Sequence, residues 1–559
     1  MNLLHRKTKM QSGPAAITLA TIFVTLIAAA AVPSHAQLPA PIPLYGFQQE
    51  STDVISPQGP IAQGRDGNLY GVGTNRGANG KGGVWKITPA GAESLLVSFP
   101  ATYGGGSCMG LVLGMDGNFY GTCSGGGVNN SGLFYRVTPA GVLSDLYDFE
   151  PGDLVQGVPV LGEDGDFYGT TSGTVYRITT AGAYKLLLTF AQGVAANDAN
   201  PSVLTAGADG NFYGAVADAS GFGNQGGIYR ITSAGGFKLL TGFTCTSAVG
   251  CSPSIGLTVG TNGKLYGTTS GGGANDDGFI FSMTTAGKDA TALHVNNYST
   301  EGGNGTGGGG QDSLNVILQG SDGNFYGANS GGGSGNQGGL YQLTPTAAFS
   351  GFLFLSATNE TVGDSPYSPL MQHTNGTIFG TTNGNGENEA AGVFFSLNAG
   401  APAFISLVTP VYAGKEETQV GILGQGFSSG SVVEFGGTAT PTRTLTGSTF
   451  IMATVPPDAL TGKVTVTTGA GTLSTLKIYK ITPTVTAITP TSGPVGTPVT
   501  ITGTGLAQAT KVTFDRIATA FTVISDEKIT TTVPAGAGTG KFAITTKGGS
   551  ASSKTFTVN

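Results

Sequence analysis

Charge is scarce in this chain. Only 10% of its 559 residues are Asp, Glu, Lys or Arg. Histidine occurs four times, cysteine four times and tryptophan once. Each shortage excludes something. No basic run is dense enough to follow a phosphate backbone or an anionic membrane, so nucleic acid is not expected as a partner. Two histidines fall in the first 36 residues, which leaves His294 and His373 in different repeats. No His/carboxylate set with metal-ligand spacing can be built from them. Beyond the leader, no segment is apolar for long enough to cross a bilayer as a helix.

Glycine is plentiful instead, at 96 residues, beside 29 Phe and 18 Tyr. So much glycine alone would suit disorder. Here the aromatics recur at regular places between the glycines, which favours an all-β repeat protein. A length of 559 residues requires several cores.

Residues 1–36 read as a signal peptide. Arg6, Lys7 and Lys9 form a basic start, Ala15 to Val32 is apolar, and Ser34-His35-Ala36 is a small-x-small cleavage site. An uncleaved anchor helix is the competing reading of the same stretch. The leader holds three of the 25 basic residues and none of the 32 acidic ones, so its removal leaves 22 against 32, a net charge of −10. After cleavage the chain is not expected to be an integral membrane protein. All four cysteines, Cys108, Cys123, Cys245 and Cys251, lie beyond the leader, and an even number in an exported chain favours two local disulfides. Neither CxxC spacing nor a nearby His supports zinc, and no cofactor is implied.

One block recurs seven times. Asp66-Gly67-Asn68-Leu69-Tyr70-Gly71 returns at Asp116, Asp164, Asp209, Asn262, Asp322 and Asn375, at steps of 50, 48, 45, 53, 60 and 53 residues. Each block joins a short apolar run to a second strand through a turn whose residues tolerate positive φ. A Gly-rich loop, a third strand such as Leu133 to Thr138, a Pro139-Ala140-Gly141 turn and a fourth strand follow. Four antiparallel strands per unit, repeated seven times, predict a seven-bladed β-propeller over residues 37–400. A β-solenoid is the structural rival. The seventh repeat lacks a fourth strand, and Pro43-Leu44-Tyr45-Gly46-Phe47 resembles one, so the N-terminal segment is expected to close the last blade.

From about residue 401 the pattern changes to two similar β-rich segments, 401–481 and 482–559. Gly424-Gln425-Gly426 matches Gly503-Thr504-Gly505, and Val433-Glu434-Phe435 matches Val512-Thr513-Phe514. The whole chain is therefore expected to be all-β, a propeller followed by two immunoglobulin-like β-sandwiches.

The D-G-N-[LF]-Y-G block, its glycine loop and the following strand and turn resemble the GloVer-type tandem repeats of exported, choice-of-anchor bacterial proteins. Several copies drift: Ser282 and Gln342 replace the basic residue of the third strand. In the C-terminal segment Ile488, Pro490, Gly496, Val499, Ile501, Gly503 and Leu506 resemble the opening of an IPT/TIG domain. The first copy departs from it at Lys415-Glu416-Glu417. These resemblances imply export and display at the cell surface, and they transfer no activity.

The geometry of a four-stranded blade puts the loops after strands one and three on one face and those after strands two and four on the other. The first set is uniformly tight. The second is long and varied, as in 191–201, 244–254, 298–312 and 358–366, and binding faces are commonly built from such loops on a rigid scaffold. Asn79, Asn129, Asn224, Asn275, Asn336 and Asn388 recur in the loop after strand two and are candidate ligand contacts there. A left-handed turn is the structural explanation of the same residues. Arg136, Arg177, Arg230 and Lys86 share one position of strand three and are expected to pair with turn aspartates. The acidic spots Glu163-Asp164-Gly165-Asp166 and Asp276-Asp277 lack calcium-loop spacing. The favoured reading is a secreted or cell-surface binding protein, its partner an extracellular glycan or protein, with the C-terminal pair as spacer or accessory module. A carbohydrate-active hydrolase or lyase working in the channel is the alternative.

Overall fold

The computed structural model describes residues 38–48, 53–103, 108–190, 201–216, 226–243, 251–253, 256–272, 278–295, 316–330, 338–346, 349–355, 362–366, 368–384, 392–408 and 412–559. All of these fall within one compact unit, Ala36–Asn559. The leader segment lies outside the described residues. Among the described residues there are strands and turns but no helix.

The repeats form a propeller-like arrangement. Each of the first six gives a four-stranded antiparallel sheet in chain order, beginning with Val54–Gln63, Leu69–Arg76, Gly83–Ile87 and Glu93–Ser98. The seventh sheet takes Met371–Gln372, Ile378–Thr382 and Val393–Leu397 from its own repeat. Its fourth strand is Ile42–Gly46, in register Ile42 with Ser396 and Gly46 with Val393. The N-terminal segment therefore supplies the missing strand. Neighbouring sheets share apolar clusters, and the first packs on the last through Leu69, Trp85, Phe379 and Phe394.

The repeated block has a full physical account. Asp66 accepts from the Asn68 backbone N–H (3.2 Å), the Asn68 side-chain amide (2.7 Å) and the Tyr70 hydroxyl (2.8 Å). Gly67 sits at φ +77°, which glycine adopts without strain. The Tyr ring then packs on the next sheet's aromatic, Tyr70 on Phe119 at 4.1 Å and Tyr168 on Phe212 at 4.1 Å between centroids. Such pairs add about 0.5–1.5 kcal/mol each beyond area burial. The last glycine of the block is required by close approach. A Cβ on Gly121 would lie 2.5 Å from the Tyr135 hydroxyl, and one on Gly169 would collide with the Tyr176 ring.

At the seventh repeat this latch is rewired. Phe379 has no hydroxyl, and His373 replaces the glycine found at the same place in the other six blocks. The His373 ring packs edge-on against Phe379. Its Nδ1 accepts from the Asn375 N–H (3.2 Å), which leaves Nε2–H to donate to the Gly67 carbonyl in the first sheet (3.0 Å). Burial pushes the imidazole below its usual pKa, consistent with this neutral form.

The C-terminal strands form two pairs of facing sheets with matching order. In the first, Ser406–Leu407, Gln419–Leu423, Phe450–Thr454 and Arg443–Thr446 make one sheet. In the second, Thr484–Thr489, Pro498–Thr504, Lys528–Thr532 and Phe521–Ser525 do the same. The cores correspond residue by residue, Ile422, Phe435 and Ile451 against Ile501, Phe514 and Ile529.

Candidate functional site

Residues in or just before the first strand of each of the seven sheets, from Gln58 to Pro369, line a common cavity, the channel of this propeller-like arrangement. At its tight-turn end the first C-terminal sandwich is docked. Thr449 Oγ1 donates to the Arg65 carbonyl (2.6 Å), and the Arg65 guanidinium lies 4.2 Å above the Phe450 ring. Gln425 Nε2 donates to Thr374 Oγ1 (2.8 Å), which also accepts from Gln63 Nε2 (2.9 Å). Lys480 Nζ donates to the Ala208 carbonyl (3.3 Å), and Ser321 Oγ to that of Pro402 (2.5 Å). These contacts reach the first, fourth, sixth and seventh sheets. Leu407, Val408 and Leu423 thereby reach this end of the channel, forming part of the wall of a 360 Å³ cavity with Leu111, Leu370 and Met371.

A second cavity of 600 Å³ lies towards the loop end, lined by Gln58, Gln156, Val158, Val203, Val316 and Pro369 among others. The two share Pro60, Leu111, Val112 and Pro369, so they adjoin across these residues. The lining is aliphatic, with a few neutral amide and hydroxyl side chains. Among the described residues, no group of three or more His, Cys, Asp or Glu is placed to hold a metal ion.

The asparagines divide. Asn79 Nδ2 donates to the Phe99 carbonyl (2.8 Å) and Asn129 Nδ2 to that of Phe149 (3.1 Å). In these two the amide ties the loop to the end of its own sheet's fourth strand, a structural use. Asn224, Asn275, Asn336 and Asn388 lie outside the described residues, as do Asp276-Asp277 and most of the four long loops.

The strand-three cations behave as expected where they pair. Lys86 Nζ is 2.9 Å from Asp66 Oδ2, and Arg177 bridges Asp164 (3.2 Å) and Asp166. Arg136 instead donates to Ser144 Oγ at 3.3 Å. Burial alone would raise the Asp66 carboxyl, but Lys86, Asn68 and Tyr70 donate to it and hold it below the usual carboxylate range. The acidic spot at 163–166 is thus an ion-pair cluster, with Asp164 also accepting from Tyr168 (2.7 Å).

Cys108 and Cys123 stand opposite each other on neighbouring strands and form a disulfide. Cys251 is disulfide-bonded, and Cys245 lies outside the described residues. Sequence reasoning missed two things. One was the docking of the first sandwich, which leaves no local pattern. The other was a G-x-S-x-G string at Gly426–Gly430. That string sits in a loop between strands of the sandwich, with an exposed Ser428 and none of the strand-to-helix geometry of a nucleophile elbow.

The fold and its channel define an all-β repeat protein of the propeller-like class. Two spans, 56–215 and 155–313, match the Gloeobacter/Verrucomicrobia repeat, and residues 483–558 match the IPT/TIG domain. The chain thus carries Gloeobacter/Verrucomicrobia repeats over residues 56–313 and an IPT/TIG domain over residues 483–558. No curated protein matches it. Among solved structures it is similar to a streptogramin B lyase, at 14% identity and TM-score 0.43, covering 63% of this chain and 95% of that one. It is also similar to the extracellular domain of a one-component system from B. thetaiotaomicron, at 10% identity and TM-score 0.44, covering 92% and 65%. A surface glycan-binding protein from Prevotella bryantii matches 26% of this chain and 38% of its own, at 21% identity and TM-score 0.21. At such TM-scores these likenesses carry no functional argument. Among the described residues no helix is long and apolar enough to cross a membrane.

Proposed function

We propose that this is an exported, non-enzymatic binding protein that receives its ligand at the loop end of a closed seven-bladed propeller. Its two C-terminal sandwiches are immunoglobulin-like. The first serves as the base of the propeller rather than as a free spacer, and the second extends from it. One observation carries this reading. The first sandwich covers the tight-turn end of the channel, so access falls to the opposite face, where the chain concentrates its long and varied loops. Export is supported by the leader pattern and by the Cys108–Cys123 disulfide. Secretion or display at the cell surface follows from both.

The test is a glycan array together with a polysaccharide degradation assay on the chain lacking residues 1–36. No turnover of any polysaccharide is the expected result, and any glycan that does bind is expected on the loop face outside the apolar channel. Release of reducing ends or unsaturated products from any polysaccharide would replace this reading with a hydrolase or lyase.

A further inference from the structure

The wall of the channel has a periodicity of its own. Six residues before each turn residue stands a position where the seven repeats use Pro60, Gly110, Val158, Val203, Gly256, Val316 and Pro369. All but Gly110 line the 600 Å³ cavity. The three valines and two prolines are half-buried, so their free surface faces the cavity. A water-filled channel places no such demand on that position. A collar of three valines and two prolines leaves the water inside with few partners, and a hydrocarbon guest displaces that water favourably.

The polar groups narrow the guest further. Thr205 already donates its hydroxyl to the Leu257 carbonyl of the next sheet. Gln58 and Gln156 remain at the loop end and offer neutral amides. No Asp, Glu, Lys, Arg or His lines either cavity among the described residues. Buried charge without a partner is costly, so an ionised guest is disfavoured. Depth adds a shape. The inner strand runs from Gln58 to Gln63 beside the sandwich, opposite Val72 to Leu69 on its neighbour across a bulge, roughly 10 Å at strand rise. At the bottom the wall passes into Leu407 and Val408.

We infer that the channel binds a neutral, elongated, predominantly hydrocarbon molecule with one hydrogen-bonding end group, of which a long-chain alcohol is the simplest member. The hydrocarbon lies along the collar towards the sandwich, and the end group meets Gln58 and Gln156. This rests on the binding reading above and names the ligand class for that same channel.

The experiment uses the chain lacking residues 1–36 and the environment-sensitive fluorophore N-phenyl-1-naphthylamine, displaced by 1-dodecanol, by dodecanoate and by cello-oligosaccharides. Expected are saturable fluorescence enhancement, displacement by dodecanol, at least fivefold weaker displacement by dodecanoate, and none by the sugars. Val316→Thr keeps the shape of the collar and makes it polar, and Val203→Phe narrows it. Each is expected to weaken dodecanol at least fivefold. Melting within a few degrees of the parent shows that a variant has folded, and Val316→Thr decides the matter if Val203→Phe has not. Absence of displaceable probe, or displacement indifferent to Val316→Thr, overturns the inference. Glycan binding that persists in both variants while the probe fails would leave the binding protein standing and remove its hydrocarbon ligand. Polysaccharide turnover would remove the binding reading by itself, whatever the probe does.

Discussion

The two ends of the channel are built by opposite rules. At the tight-turn end the repeats spend their polar groups on themselves: in the first, second, fourth and sixth the turn Asp satisfies a backbone N–H, an Asn and a Tyr, and a sandwich is packed against the result. At the loop end the described polar ties follow no single repeated pattern: Asn79 and Asn129 hold their own loops, while Thr122 and Thr170 donate to carbonyls of the next repeat. A repeat that must pack against two copies of itself has little freedom where the turns meet the neighbouring sheets. The same repeat has much freedom where its loops meet solvent. Uniformity at one end and variation at the other are consequences of packing before they are signs of function.

The comparison can be broken in four ways. Phe450→Ala removes a buried ring and the Arg65 stacking from the covered end, with an expected loss of about 3–5 kcal/mol in chemical denaturation. Calorimetry on that variant should shift propeller and first sandwich together. A thermogram in which only a sandwich transition moves would mean that the end is covered without being coupled. Gly169→Ala forces a Cβ into the Tyr176 ring and should cost about 3 kcal/mol, at the upper end for overpacking. Gly173→Ala, in the loop at the other end with no atom nearby, should stay within about 0.5 kcal/mol. Similar losses at both glycines would erase the distinction.

Tyr120→Phe withdraws one donor from Asp116, with an expected cost of about 1–2 kcal/mol at neutral pH. Burial raises this carboxyl, but the donors around it outweigh that effect and hold it below its ordinary value of 3.8. Its contribution is therefore present above that value and fades as pH falls through the depressed one. Urea titrations of parent and variant should converge in acid. The smallest effect is expected at the junction of the two sandwiches. Burial, and then the nearby Asp526, push the Glu416 carboxyl up to about 7. A raised acid weakens the folded state above that pH, and the penalty disappears below the ordinary value of 4.5. Glu416→Gln should stabilise at pH 8 by less than about 1 kcal/mol, given its partial exposure, and change little at pH 4. Equal effects at both pH values would show that the junction does not sense the charge.

What could be read in the sequence follows the same division. The seven blocks, the closing strand near residue 43 and the duplicated C-terminal segment were legible because each is local and repeated. Identical spacing makes one repeat evidence for the next. The pairing of Lys86 with Asp66 was legible for the same reason. The docking of the sandwich was not, because it joins Thr449 to Arg65 and Gln425 to Thr374 across hundreds of residues without any shared pattern. The asparagines show the limit from the other side. Their recurrence was visible, but the carbonyl that Asn79 and Asn129 serve belongs to the fourth strand, and only the folded sheet brings it near.

The seam between the first and last sheets also gives the chain an order of assembly. Ile42–Gly46 is made before any repeat, yet its partner Val393–Leu397 is made only after the other six. Until then the ring has an open edge, and closing so long a loop is slow and entropically costly. The next segment to emerge is the sandwich that grips Arg65 on one side of the seam and Thr374 on the other. It can dock across both only once they have come together. In the closed ring proposed above, the domain at the tight-turn end would thus also act as a check on closure, because a ring that had failed to close would lack the surface on which it fits.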